Sequence, residues 1–291
     1  VTTLERVGPE PLDVKAPEPD DLRLWSVTTI LGVLDKPALM YWAAEQSAKA
    51  AVEHRSTWQA MEAESGTDEA IKWLRDARFR RGKDTLSDAE FGTGVHTLAE
   101  EYALTGVKPT PDRETFKSDF DAAVACLDRF DEWLSEFQPT YLATEVTVYN
   151  ATYRYAGTCD GFLAINGTPL IVDYKSSKKS RDAKGKPTGL YPEAALQLAG
   201  YRFGEVAAVW RARRYENFRR RYYLLSDAER HAGVPVPKVD GGLGIKITPE
   251  HCTAYPVRCD EEVFEAFLYV LECARWSFDL AKTVIGEPLV A

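Results

Sequence analysis

Cysteine is scarce in this 291-residue chain, and what there is does not pair up. Cys126, Cys159, Cys252, Cys259 and Cys273 are an odd, scattered set with no Cys-x-x-Cys among them. That spacing excludes a disulfide framework and a structural zinc knuckle. It points to a reducing, cytoplasmic setting in which the thiols serve as small hydrophobes. Long apolar runs are also missing, since no stretch approaches the roughly 20 residues that span a bilayer. The opening, VTTLERVGPEPLDVKAPEPDD, carries acids and prolines where a secretory signal needs a basic start and an apolar run. No internal repeat, low-complexity tract or coiled-coil pattern is present, so a soluble, cytoplasmic monomer is expected.

Positive charge is in deficit overall: 36 Lys and Arg against 45 Asp and Glu give a net charge of −9. Such a chain does not coat nucleic acid through bulk electrostatics. The deficit is uneven, however. Between Ile171 and Arg221 there are 13 basic and 5 acidic residues, a local +8, which leaves −17 for the remainder. A basic stretch on an acidic body fits either a solvated face or a groove holding a phosphate backbone in one place.

Periodicity divides the chain. Residues 1–22, with four prolines and six acids, read as an extended or disordered leader. Residues 23–291 read as a single domain in three parts. Residues 23–135 are mainly helical, with caps at Ser26 or Thr28, a helix opening on Pro37, an amphipathic segment over 66–79 and a helix from Ser87 to about Thr105. One long helix is expected from Asp112 to Phe137, where Phe116, Phe120, Ala123, Leu127, Phe130, Leu134 and Phe137 recur at three- and four-residue steps. Residues 136–225 form a sheet core, with strands at 141–149, 153–163 and 170–174 and a hairpin at Asn166-Gly167. A mobile loop (175–190), a helix (191–210) and a strand (220–225) complete that part. Residues 226–291 are a Gly- and Pro-rich loop (233–245), an edge strand (252–257) and a closing helix from Glu261. The fold class is therefore α/β, a mixed sheet flanked by helices with a helical N-terminal elaboration.

The chemistry concentrates in two strand segments, Gly157-Thr158-Cys159-Asp160-Gly161 and Ile171-Val172-Asp173-Tyr174-Lys175. Asp173 and Lys175 leave one face of a strand, and the hairpin between the segments can bring Asp160 beside them. Carboxylates at close range repel unless a cation relieves them. Oxygen donors without thiolates suit a hard ion, Mg²⁺ or Mn²⁺, one or two in number. Lys175 would stabilise charge developing on a phosphoryl group and position the attacking water, or help deprotonate it. An ordinary exposed charge pair at a strand edge is the competing reading. His96 and Glu100 share a helix face, with His96 either a capped or core-edge histidine or a third ligand beside Asp160 and Asp173, and Glu100 either its orienting partner or surface. Gln197 and Tyr201 likewise share a face. Glu145 is a further acid, liganding a second ion or pairing with a base. Trp42, Trp58 and Trp73 are offered as stacking surfaces, with burial in the core the preferred role.

In order along the chain, Gly92 to His96, Gly157 to Asp160, Asp173-Tyr174-Lys175 and Gln197 to Tyr201 resemble the four motifs of the PD-(D/E)xK nuclease superfamily, specifically its RecB-like exonuclease branch. Ser26 to Leu31 with Asp35 to Leu39 looks like the opening of phage-encoded members. The resemblance implies a restriction-endonuclease-like core and a metal held by His96, Asp160, Asp173 and the backbone carbonyl of Tyr174. It makes Lys175 the catalytic lysine, with Gln197 and Tyr201 supporting it or contacting DNA. It further implies hydrolysis of DNA phosphodiesters on single strands or duplex ends in recombination, repair or replication, with a partner protein possible. A structure-specific endonuclease or nickase, and a non-catalytic DNA-binding scaffold, are the alternatives. CRISPR-associated relatives carry four cysteines around an iron–sulfur cluster. Here the spacing of Cys252, Cys259 and Cys273 does not match, so no such cluster is expected. Lys178, Lys179, Arg181, Lys184 and Lys186, with Arg211, Arg213, Arg214, Arg219, Arg220 and Arg221, are the candidate phosphate contacts.

Overall fold

Local chemistry sets the helix ends. A computed structural model describes residues 24–79, 85–182, 185–209 and 234–286. The leader, Arg213, Arg214 with the other arginines of 211–221, Lys184 and the strand expected at 220–225 lie outside the described residues. Ser26 caps α1 (Val27–Leu31) by accepting the Thr29 N–H. Ser87 and Glu90 exchange side-chain-to-backbone hydrogen bonds, a reciprocal cap that opens α5 (Asp88–Thr105), and Gly106 at φ 66° closes it. Asp260 caps α9 (Glu261–Phe278) through the Val263 N–H.

Two compact units are distinguished. The smaller, Leu34–Thr85, holds α2 (Pro37–Glu53), α3 (Arg55–Ser65) and α4 (Thr67–Arg75). Within it the Trp58 indole donates to the Ala51 carbonyl at 3.1 Å and His54 meets Trp73 edge-on. Trp42 is 43% exposed, so it is not the core aromatic expected of it. In the sequence this segment is continuous with the helical part expected over 23–135; in the fold it is a compact unit of its own.

The larger unit is a mixed α/β layer structure. Its strands are β1 (Trp25–Ser26), β2 (Thr140–Asn150), β3 (Tyr155–Ile165), β4 (Thr168–Ser176), β5 (Val206–Val209), β6 (Val234–Pro235), β7 (Gly241–Ile247) and β8 (Cys252–Val257). They lie in the order β6-β5-β2-β3-β4-β7-β8, with β1 added beside β3. The pairs β4–β7 and β1–β3 are parallel and the others antiparallel. Asn166 and Gly167, at φ 51° and 80°, form the turn with two left-handed residues that the sequence announced. On one face Phe91, Val95 and Ala99 of α5 pack with Cys126, Phe130 and Trp133 of α7 (Phe120–Phe137) against Val172, Tyr174, Leu243, Ile245 and Ile247. The opposite face is covered by α1, α8 (Glu193–Arg202) and α9, where Phe267 meets Tyr155 edge-on with ring centroids 5.0 Å apart. On α9, Tyr269 and Trp276 are exposed, so only part of its aromatic set anchors the sheet.

Three expectations are corrected. The long helix at 112–137 is broken into α6 (Arg113–Phe116), a 3₁₀ turn and α7, with Lys117 at φ 52°. The break lets Asp119 accept hydrogen bonds from the Leu86 N–H and from Lys178. The helix expected over 191–210 stops at Arg202, and Val206–Val209 is a strand paired with β2. Gly204 allows this reversal, because a Cβ there would lie 1.9 Å from the Val148 side chain. The loop expected over 233–245 is largely wrong, since β7 is an interior strand beside β4. Its glycines mark close packing. Leu198 lies against Gly242 and Leu190 against Gly244, so the missing side chains are replaced by neighbours.

Candidate active site

Strand register assembles the acids. Thr144↔Gly161 and Val146↔Cys159 bracket Glu145 and Asp160, which therefore stand opposite each other. The β3–β4 pairing ends at Gly161↔Val172, and one further step sets Asp160 against Asp173 where the strands part. Asp160 bridges that fork, its Oδ2 accepting the Tyr174 N–H at 2.6 Å. Glu145 is held at φ 49°, a left-handed conformation within a strand. That costs of order 1–3 kcal/mol and needs enforcement by its surroundings. Near the same point β3 turns over. Leu163 belongs to the cluster under α5 and α7, whereas Tyr155, of the same parity, packs edge-on against Phe267 of α9.

α5 supplies the histidine. Its glycine-rich start lies close to the end of β4, with the Ser176 hydroxyl donating to the Gly92 carbonyl at 2.9 Å. One turn later His96 Nε2 lies 3.3 Å from Glu145 Oε1 and 3.4 Å from Asp160 Oδ1. Donor atoms of His96, Glu145 and Asp160 all fall within 4.8 Å of one another. Two carboxylates and an imidazole nitrogen converging this way are a suitable donor set for a hard or borderline divalent ion. Glu100, a turn beyond His96, is buried rather than at the surface.

Asp173 is drawn to Lys175 instead. Both its oxygens lie 2.7 Å from Lys175 Nζ. The ammonium also donates to Gln197 Oε1 at 3.3 Å, and Gln197 Nε2 donates to the Tyr201 hydroxyl at 3.2 Å. Tyr201 is 2% exposed and rests on Gly157, where a Cβ would sit 2.6 Å from the ring. Gln197 and Tyr201 are thus props for the lysine, and Gly157 makes room for the second of them. Burial, then the charge of Asp160, pushes the Asp173 carboxyl up to about 6 despite the opposing pull of Lys175. The Tyr174 side chain points away into the apolar cluster, hydrogen-bonded to the Tyr141 hydroxyl at 2.7 Å.

The expected phosphate contacts divide. Lys178 donates to the Leu86 carbonyl at 2.6 Å and to Asp119 at 3.0 Å, tying the end of β4 to the start of α5. Its ammonium is a structural latch. Lys178→Met is expected to lower stability by about 2 kcal/mol in urea denaturation and to leave DNA affinity unchanged; weaker DNA binding at full stability would reverse that assignment. Arg181 is exposed but bonded to Glu250 and the Gly185 carbonyl. Lys179 is exposed.

Among the described residues no helix is long and apolar enough to cross a membrane. No protein-family model matches the chain, and no curated protein does. Among solved structures the chain is similar to one titled "Crystal structure of SSO0001", at 11% identity over 72% of this chain and 90% of that one, with a TM-score of 0.28. A likeness at that TM-score carries no argument about the site.

Proposed function

We propose that the chain is a divalent-metal-dependent deoxyribonuclease of the RecB-like type, acting on single strands or duplex ends. The observation that supports this most is the meeting of His96, Glu145 and Asp160 within 4.8 Å, beside a lysine held by Asp173 and Gln197. Crowded carboxylates repel a phosphate backbone on their own, and a cation reverses that. His96, Glu145 and Asp160 would hold the ion; Asp173 serves Lys175 in this arrangement. When bound, a hard divalent ion supplies Lewis acidity at a phosphoryl oxygen and lowers the pKa of water. The chain's own residues do the rest. Asp173 and Gln197 fix the Lys175 ammonium, which offsets charge on the phosphorus oxygens and orients the water oxygen that attacks phosphorus. The attacking water gives up one proton to solvent, the bond from phosphorus to the leaving sugar oxygen breaks, that oxygen takes up a proton, and a phosphate monoester and a free hydroxyl result. A reducing cytoplasmic setting suits the five free thiols.

An end-labelled digest tests the reading. Single-stranded and duplex DNA, labelled at either end, should be cut with Mg²⁺ or Mn²⁺ and spared in EDTA. Circular single-stranded DNA should survive an exonuclease and be opened by an endonuclease. Pure protein inert on every DNA form in manganese would refute the proposal.

A further inference from the structure

The sequence pattern of β7 has a use that the catalytic residues leave open. In Gly241-Gly242-Leu243-Gly244-Ile245-Lys246-Ile247, the residues Leu243, Ile245 and Ile247 enter the apolar cluster. The alternate positions are two glycines and then Lys246. In the parallel register of β4 and β7, Lys246 stands directly beside Lys175. It is only 8% exposed. It makes no hydrogen bond or ion pair with any of the described residues, whereas the Lys175 ammonium is engaged by Asp173 and Gln197. Removing an ammonium from water without a counter-charge costs several kcal/mol. Burial, then the repulsion of Lys175, holds its ammonium below the ordinary lysine range against a weaker opposing pull from Asp88. A buried cation that no described residue hydrogen-bonds or pairs with, in an interior strand, calls for an anion that arrives with the substrate.

Sheet order says where that anion would sit. Across β2, β3, β4 and β7 the site runs Glu145, Asp160, Asp173 with Lys175, then Lys246. Acid gives way to base in one direction. Strands about 4.8 Å apart place Lys246 one step beyond Lys175, on the side away from the carboxylates. Building on the nuclease reading, we propose that Lys246 binds a backbone phosphate adjoining the scissile one, and so positions the DNA strand across β4 and β7. It is a positioning residue and takes no part in bond breaking.

The test uses the whole protein and a fluorescein-labelled oligothymidylate in Ca²⁺. Anisotropy is read between about 50 and 300 mM salt, and the oligonucleotide is confirmed intact on a gel. Lys246→Met should weaken binding about tenfold and lower the slope of log K against log salt by about 0.7, the value for one phosphate contact on a single strand. Lys246→Arg should retain most of the affinity and the full slope. In thermal unfolding without DNA, Lys246→Met should be at least as stable as the parent, because a buried charge has been removed. A lysine serving the fold would instead lose stability on that change. Unaltered affinity and slope in Lys246→Met, or a lowered unfolding temperature, would overturn the assignment while leaving the nuclease reading intact. A parent protein that neither binds nor cuts DNA would overturn both.

Discussion

Lys175→Ala is expected to lower the single-turnover rate of DNA cleavage by about 10³-fold while leaving oligonucleotide affinity within about threefold. Removing a preorganised charge aimed at a transition state costs about 3–4 kcal/mol in barrier. Ground-state binding is spread over several phosphates and depends less on one of them. Three features fix the ammonium: both oxygens of Asp173 at 2.7 Å, Gln197 at 3.3 Å, and Tyr201 behind Gln197 at 3.2 Å. Gln197→Ala, which frees the lysine without removing it, should therefore cost less, about tenfold. Equal losses of rate and affinity in Lys175→Ala would make that lysine a binding residue and take away its transition-state role.

Asp173→Asn should make the metal-free protein more stable at neutral pH by about 3 kcal/mol and slow cleavage by up to about 10³-fold, no more than the loss of Lys175 itself. The Asp173 carboxyl is 1% exposed and its pKa stands near 6 in the folded chain, against 3.8 as the ordinary value. Each unit corresponds to about 1.4 kcal/mol. Since the folded pKa is the higher one, the native state holds the proton more tightly than the unfolded chain. Its stabilising contribution is complete below about pH 4 and is lost as pH rises through 6. Urea denaturation from pH 4 to 8 should show the parent losing about 3 kcal/mol that Asp173→Asn keeps. A parallel pair of curves would mean that the carboxylate is already compensated in the metal-free state. The activity cost follows from Lys175, whose strongest partner is gone.

How much of this was legible in the sequence depends on whether the signal was local. The Ser87–Glu90 cap, the Asn166-Gly167 turn and the alternation in 141–149 are written in neighbouring residues, and the elements they announce are present. The mixed α/β class followed from them. The glycines of β7 read as breakers in the sequence, whereas in the fold they are the places where Leu190 and Leu198 fill the missing side-chain volume. Only tertiary packing supplies that reason. The break at Lys117 was invisible for the same cause, since the apolar period of 112–137 runs through it and the Asp119 contacts with Leu86 and Lys178 come from distant segments. At the site, motif order points to His96, Asp160, Asp173, Lys175, Gln197 and Tyr201, and in the fold His96 meets Asp160 while Asp173, Lys175, Gln197 and Tyr201 form one hydrogen-bonded chain. Glu145 was named with its role open, and its place opposite Asp160 depends on register and on a left-handed residue. Lys246 gave no signal beyond one cation in an apolar alternation.

The central claim is that His96, Glu145 and Asp160 hold a divalent cation. Calorimetric titration of Mn²⁺ into the DNA-free protein tests it most directly, with Asp160→Asn and Glu145→Gln run alongside. The account predicts saturable binding to the parent, weakened at least about tenfold in each variant, with both variants folded by circular dichroism. Binding of equal strength in all three proteins, or no saturable heat in the parent, would contradict it.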